Sequence, residues 1–508
     1  MACGESKALV LSVGDSVAVA VADIEPGPVD ALGEARGECA QALERIPAGH
    51  KIALRDIKSG DTVLKYGSPI GVATCDIEAG TWVHEHNLRS ALDASTEYAP
   101  PRMAYAWAER ERAEKLLRRV PRFFRGYRRI GGLVGTRNEL WVVPTVGCVN
   151  GSARMIASLA REEFGLEAQA LEHPFGCSQL GGDLDGTRRI LARLAVHPNA
   201  GATIVVSLGC ENNRLREFEA LLRQFGGDPR SLAFLPLQEV GDETTEARII
   251  LGSLAGLIAS RRREEIPLSE LSVGLKCGGS DGFSGITANP LIGKVCDMIV
   301  AAGGRAIMTE VPEMFGAEER LILRSASPEV YSSFASMVGW FKNYYARHGQ
   351  AVYENPSPGN KEGGITTLEE KSLGCIRKAG TAPISGIVAY GGTTLASGLS
   401  LVSGPGNDLI STTALAAAGA NAILFSTGRG TPFGGVVPTI KLSSNSGLID
   451  RKPSWIDFDC GRVLSGSSFD DLAVDLMRRL LAVAGGEETK AESGGHSGIA
   501  IFRDGVTL

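Results

Sequence analysis

The sharpest local signal in the chain is His84-Glu85-His86. Only 7 histidines occur among 508 residues, so two of them one residue apart stand out. The flanking residues 81–86 read as a strand, where side chains two apart share a side. Two imidazoles on one face can share a divalent metal ion, with Asn87 facing away. Four cysteines sit beside glycine turns: Gly147-Cys148, Gly176-Cys177-Ser178-Gln179, Gly209-Cys210 and Cys277-Gly278. Thiolates suit soft or borderline metals and can act as acids or bases. Residues 276–285 place four glycines among Lys276, Asp281, Ser280 and Ser284. Such a loop lets backbone N–H groups approach an anion, a phosphate or a carboxylate, although neither nucleotide-binding glycine motif is matched. Arg429, framed by Gly428 and Gly430, can fork a carboxylate. Lys361 and Glu362 are acid/base candidates. Each residue also has a plain reading, as an edge-strand histidine, a buried structural thiol or an exposed charge.

These residues need elements to position them. Residues 1–92 read as a small β domain, with short strands at 8–13, 16–22, 51–54, 62–65 and 81–86. Residues 93–130 read as a linker with one helix, over 103–119, between Pro100-Pro101 and an arginine-rich run. Beyond them strands alternate with helices. Strands are expected at 140–143, 203–208, 271–275, 306–309, 384–389 and 422–425, and helices at 152–161 and 215–225. That alternation indicates parallel α/β layers, whose ligands bind outside the carboxyl ends of strands. Cys148, Cys210 and Cys277 fall at such ends. We expect two α/β subdomains, 131–265 and 266–508. The polar, glycine-rich residues 487–498 read as a mobile loop.

Composition narrows the function classes. The 64 glycines follow no collagen period and form no long Gly/Ser tract, so they serve turns and close backbone approaches. A coiled coil, a disordered chain and a helical bundle are excluded. A net charge of -6 argues against nucleic-acid binding. The arginines at 118, 119, 122, 125, 128 and 129, and at 261–263, read as solvated surface. No apolar run reaches the ~18 residues of a membrane span. No basic segment precedes an apolar one as in a signal peptide. The 10 cysteines include no Cys-x-x-Cys pair and read as reduced thiols of a cytoplasmic protein.

Longer motifs then carry a resemblance. Gly49-His50-Lys51-Ile52-Ala53, Lys65-Tyr66-Gly67-Ser68-Pro69-Ile70-Gly71 and Val83-His84-Glu85-His86-Asn87-Leu88 look like a SAF (antifreeze-like, β-clip) domain. Gly135-Thr136-Arg137-Asn138, Val143-Pro144-Thr145-Val146-Gly147-Cys148 and the loops around Cys177, Cys277, Asn355 and Arg429 match further blocks in order. The chain resembles the altronate/galactarate dehydratase family almost end to end. One departure is Gly132, where the family more often has Asp.

The resemblance implies a hydro-lyase that converts an altronate-type aldonate or galactarate-type aldarate into a 2-keto-3-deoxy acid. It implies a divalent metal, Fe²⁺ or Mn²⁺, and a homodimer or higher homo-oligomer. His84 and His86 are then the expected metal ligands, with Cys148, Cys177, Cys210 and Cys277 as further candidates. Lys276, Lys361 and Asp281 form the expected catalytic set, the two lysines being the acid/base candidates. Arg137, Asn138, Gln179, Ser280, Ser284, Asn355, Arg429 and Thr431 are the expected substrate contacts. Three alternatives stand beside this: elimination of sulfite from a sulfonated hydroxy acid, an iron–sulfur cluster on the loop cysteines, and a non-catalytic sugar-acid-binding protein.

Overall fold

The computed structural model describes residues 6–34, 39–92, 98 and 105–508. The N-terminal part is β-rich. One sheet has the order Cys39–Ala42, Gly27–Gly33, Ser6–Val10, Val17–Ala20, Lys51–Ala53, Trp82–Val83. A second joins Thr62–Lys65, Ser68–Ala73 and Leu88–Arg89. Between the first two of these strands lies a two-residue turn, Tyr66-Gly67, with φ of 62° and 65°. This turn type matches hairpin twist but strains a tyrosine. The Asp15 carboxylate compensates by accepting from both turn N–H groups, at 3.1 and 2.8 Å. The clasp fixes Lys65 at the strand end, with its ammonium turned inward.

Two parallel sheets follow. One has the order Ala168–Ala170, Glu139–Pro144, Ala200–Ser207, Leu232–Pro236, with every pair parallel. The strand Ala200–Ser207 is buried along its whole length, as parallel strands covered on both faces are. The other runs Ile384–Val388, Gly398–Val402, Arg305–Met308, Ser272–Cys277, Ala422–Thr427, Thr439–Ser443, Phe458–Asp459, again all parallel. Each sheet has a point where the strand order reverses. In the first it lies between Glu139–Pro144 and Ala200–Ser207; in the second, between Ser272–Cys277 and Ala422–Thr427. Such switch points open crevices at the strands' carboxyl ends. The α/β class with a β-rich N-terminal module agrees with the sequence reading. No helix among the described residues is long and apolar enough to cross a membrane.

Several local expectations are corrected. The segment 84–86 is a turn after the short strand Trp82–Val83, because Asn87 Oδ1 accepts from His84 N at 2.9 Å and bends the chain. The linker helix is shorter, Arg110–Leu117, and residues 99–104, with Pro100-Pro101, lie outside the described residues. A strand, Phe123–Arg128, follows it and pairs with Glu264–Pro267. Its arginines are exposed, as expected, and also act as ties: Arg128 meets Glu264 and Glu270 at 2.8 Å each. Within 487–498 lies a helix, Lys490–Ser493, closed by a reciprocal Thr489/Glu492 cap, so this stretch is ordered.

Candidate active site

At the switch point of the larger sheet, loops 278–285 and 428–431 meet residues 360–364 and the β module. Glycine allows this contact. A Cβ at Gly282 would sit 2.0 Å from the Gly49 carbonyl oxygen, and one at Gly428 would sit 2.1 Å from Asp281 Cγ. Asp281 is the clasp of the assembly. Its carboxylate accepts from Phe283 N at 3.2 Å, Ser284 N at 2.9 Å, Ser284 Oγ at 2.8 Å, Ser444 Oγ at 2.7 Å and Asn445 Nδ2 at 2.9 Å. The expected catalytic Asp281 and substrate-binding Ser284 are therefore committed to holding loops. The Ser280 carbonyl accepts from Asn360 Nδ2 at 2.8 Å, with Ser280 buried.

The β module enters through a buried charged chain. The helix Leu368–Cys375, wholly buried, starts at Thr367, whose hydroxyl accepts from Glu370 N. Glu370 lies between Lys51 at 2.9 Å and Lys65 at 2.7 Å. Burial alone would raise its pKa, but the two ammoniums hold it down to about 2. Lys51 spends its three donors on Glu370, the Gly364 carbonyl at 2.8 Å and Thr366 Oγ1 at 2.8 Å. Burial brings its pKa down to about 8. Thr366 Oγ1 in turn meets His84 Nδ1 at 2.8 Å. The hydroxyl already accepts from Lys51, so its own proton goes to Nδ1, and the ring proton of His84 sits on Nε2. Burial and then Lys51 lower the His84 pKa to about 4, so the imidazole is neutral near pH 7. His50 packs edge-on to it, with ring centroids 4.9 Å apart. The indole N–H of Trp82 donates to His50 Nδ1 at 3.1 Å, leaving Nε2–H to donate to the Glu362 carbonyl at 3.2 Å.

Around His84 lie charged pairs on the exposed side. Lys361 pairs with Glu85 at 2.6 Å, and Arg429 with Glu362 at 2.8 Å. His86 is exposed against Trp82, centroids 5.3 Å apart. The structure therefore brings His84, His86, Lys361 and Arg429 to one seam, but gives the two histidines different surroundings.

Deeper in, a second cluster surrounds the end of Ser272–Cys277. Lys276 pairs with Glu310 and, at 2.8 Å, with Asp408. Lys378 meets Glu310 at 2.9 Å and Cys277 Sγ at 3.1 Å. Lys371 meets Glu313 at 3.0 Å and Asn355 Oδ1 at 2.9 Å. Burial would strip these lysines of charge, but the neighbouring anions keep all three raised. Lys276 is thus an ammonium, which leaves it, of its expected acid/base roles, that of an acid. Cys277, Glu313 and Cys375 form a group, among the described residues, that could hold a metal ion, with ligand atoms all within 4.8 Å. The sulfurs are 3.3 Å apart, and Glu313 Oε2 lies 3.6 Å from Cys277 Sγ and 3.3 Å from Cys375 Sγ. Glu313 is held down to about 2, since Lys371, Lys276 and Lys378 outweigh its burial. The hydrogen bond with Cys375, and then Lys378, lower the Cys277 thiol against its burial. Two sulfurs and a carboxylate fit a thiophilic divalent ion in type and spacing. Such an ion competes with Lys378 for Cys277 Sγ, while Lys371 holds the other oxygen of Glu313. Glu310 carries the cluster at φ 70°, a left-handed conformation rare outside glycine.

Other expected site residues lie elsewhere. Arg137 spends its guanidinium on Glu492 at 2.7 Å and on the carbonyls of Thr136, Val483 and Glu487. Asn138 joins Arg129 at 2.9 Å to the Ile258 carbonyl at 3.0 Å. Both are structural ties, which corrects the expectation that they touch substrate. Thr431, in the site loop 428–431 itself, uses Oγ1 to close a turn by accepting from Phe433 N at 3.2 Å. Cys148, Cys177, Cys210 and Gln179 belong to the smaller sheet, away from Cys277. Lys51, Glu310, Glu313, Thr366, Glu370, Lys371, Cys375 and Lys378 escaped the sequence reading.

Family models match along the chain: an altronate/galactarate dehydratase SAF domain at residues 6–91, a D-galactarate dehydratase/altronate hydrolase second domain at 126–254, and a D-galactarate/altronate dehydratase C-terminal domain at 268–507. The chain belongs to the altronate/galactarate dehydratase family. It is 44% identical over 501 residues to an altronate dehydratase of Bacillus subtilis (strain 168), covering 97% of this chain and 98% of that one. To an altronate dehydratase of Escherichia coli (strain K12) it is 44% identical over 499 residues, with 97% and 98% covered. To a galactarate dehydratase (L-threo-forming) of the same strain it is 31% identical over 492 residues, 91% of each. In this family member, the matched SAF segment contributes Lys51, Lys65 and His84, and the matched C-terminal segment contributes Thr366 and Glu370.

Proposed function

We propose that the protein dehydrates a sugar acid of the altronate type to a 2-keto-3-deoxy acid, at the seam between the β module and the larger sheet. The observation that carries this reading is the buried chain from Glu370 through Lys51 and Thr366 to His84 Nδ1. Elimination breaks the C2–H bond, whose proton goes to the Glu362 carboxylate once Arg429 has exchanged it for the substrate carboxylate, and loss of the C3 hydroxyl needs a proton at the leaving oxygen. His84 Nε2–H supplies it. Nδ1 takes the Thr366 hydroxyl proton, and Thr366 takes one from Lys51, which ends as a neutral amine. The Lys51 pKa of about 8 makes that last transfer accessible near neutral pH.

Arg429 and Lys361, each paired with a glutamate on the exposed side, hold the substrate carboxylate and hydroxyls in exchange for those partners. Cys277, Glu313 and Cys375 would hold the divalent ion, Fe²⁺ rather than Mn²⁺ because two donors are sulfur. When bound, such an ion supplies Lewis-acid stabilisation of developing negative charge. The likeness to altronate dehydratases along almost the whole chain supports the substrate class.

The test is an anaerobic assay across aldonates, aldarates and a sulfonated hydroxy acid, detecting 2-keto acids and sulfite, with wild-type and His84→Asn protein. Altronate turnover that His84→Asn abolishes supports the reading. Turnover of the sulfonated acid alone, or undiminished turnover by His84→Asn, overturns it.

A further inference from the structure

The smaller parallel sheet has a switch point of its own, and three cysteines crowd it. Cys148 follows Glu139–Pro144 and Cys210 follows Ala200–Ser207, the two strands that flank the reversal; Cys177 follows the neighbouring strand Ala168–Ala170. Backbone bonds lock the three loops together. Gly147 N donates to the Phe175 carbonyl at 2.8 Å, and Asn213 N to the Gly176 carbonyl at 2.9 Å. Ser178 N donates to Asn212 Oδ1 at 2.8 Å, and Thr145 Oγ1 to Glu211 Oε1 at 2.6 Å. Cys177 is thus pinned between the loops that carry the other two.

All three thiols are free and exposed, whereas Cys277 and Cys375 are buried. Exposed thiols gathered on one edge are uncommon, since free cysteine is among the most buried residue types. A second observation points to a ligand. Gln179, 4% exposed, uses Oε1 to accept from Gly176 N, while its buried Nε2 has no partner. A buried amide N–H₂ left idle two residues from Cys177 is a donor awaiting an acceptor. Unlike Cys277, which Lys378 contacts, none of these sulfurs meets an ammonium among the described residues.

We propose that Cys148, Cys177 and Cys210 hold an iron–sulfur cluster of the 4Fe–4S type at this switch point. A single ion would need the sulfurs to close on one point, whereas a cluster is held by thiolates spread around its corners. Three thiolates leave one iron without a protein sulfur, open to an oxygen ligand from solvent or from a small hydroxy acid. Gln179 Nε2 donates to a cluster sulfide or to that oxygen ligand. Binding releases the thiol protons and changes no oxidation state in the protein.

The experiment uses the full chain, reconstituted anaerobically with ferric iron, sulfide and excess thiol reductant, which supplies the two electrons that take four Fe³⁺ to the two Fe²⁺ and two Fe³⁺ of the cluster, then desalted. Iron, acid-labile sulfide, visible absorbance and the EPR signal of the reduced sample are read, none of which depends on sugar-acid turnover. The expected result is about four labile sulfides per chain, with about four irons in Cys277→Ser protein and about one more in wild type, where the Cys277 group holds its own ion. Cys148→Ser, Cys177→Ser and Cys210→Ser each lose the sulfide and the visible band. Cys75→Ser, an exposed cysteine elsewhere, and Cys277→Ser, at the buried group, keep both. Circular dichroism of each variant before reconstitution confirms a folded chain. Iron bound without sulfide, no chromophore in wild type, or a cluster surviving in the Cys148/Cys177/Cys210 triple serine variant overturns the proposal. Altronate turnover by cluster-free protein would remove a catalytic part for the cluster and leave the proposed dehydration standing.

Discussion

His84 Nδ1 stands 2.8 Å from the hydroxyl of Thr366, across 282 residues of sequence. The contact joins a turn of the β module to the loop ahead of a buried helix in the large region. Its physical weight comes from what lies behind Thr366, a buried ammonium held between that hydroxyl, the Gly364 carbonyl and the Glu370 carboxylate.

The relay predicts a pH profile. Lys51 must be an ammonium for the last transfer, and its pKa lies at about 8. kcat is expected to be flat just below that value and to fall as pH rises through it. Thr366→Val removes the bridging hydroxyl. It should lower kcat by about 10²-fold, the size of a lost proton-transfer contribution, with KM little changed. Wild-type kcat in Thr366→Val, with the basic limb intact, would sink the relay.

Glu370 predicts a stability effect. It is a carboxylate held at about 2 against an ordinary 4.5. Its depressed folded-state pKa means the stabilisation is fully present above about pH 4.5 and drains away as pH falls toward 2. Glu370→Gln leaves Lys51 and Lys65 buried without their counter-charge and should cost about 3–5 kcal/mol, read by urea unfolding at pH 7. The variant should also show a flatter stability curve between those two pH values. An unchanged unfolding midpoint would contradict the buried pairing.

The Cys277, Glu313 and Cys375 group predicts a thermal shift. Ferrous iron added anaerobically to Cys177→Ser protein should raise Tm, because an ion that binds only the folded state stabilises it by mass action. The Cys177→Ser background removes one thiol of the exposed trio. Adding Cys277→Ser or Cys375→Ser should abolish the shift, and a chelator should reverse it in their absence. A shift that survives both serine changes would place the ion elsewhere.

What the sequence disclosed, and what it hid, follows from the range of the forces involved. Strand–helix alternation and the glycine loops are local patterns, so the parallel sheets and the loops at 278–285 and 428–431 were legible. The excess of glycine has a definite use there, since Gly282 and Gly428 let backbones meet Gly49 and Asp281 directly. The buried charges were not legible. Glu369-Glu370-Lys371 reads as the polar start of an exposed, well-capped helix, and only tertiary partners make its burial tolerable. The strand expected to run through His84-Glu85-His86 stops at Val83 because Asn87 turns the chain, and period two has no meaning in a turn. Glu310 gave no sign of its left-handed backbone.

Two arginines that the sequence treated alike should separate by measurement. Arg429 is 45% exposed and faces Glu362, so the pair adds little to stability. Arg429→Ala should leave Tm nearly unchanged and raise KM about 10- to 100-fold, the size of a lost charged hydrogen bond to a carboxylate. Arg137 is 10% exposed and bonded to Glu492 and to three carbonyls, holding the helices Phe469–Ala484 and Lys490–Ser493 to the smaller sheet. Arg137→Ala should lower stability by about 3–5 kcal/mol, because Glu492 is left without its charge partner, and should leave KM unchanged in the fraction that folds. The reverse pattern, a KM effect at Arg137 and a Tm effect at Arg429, would move substrate recognition to the face where the two sheets meet.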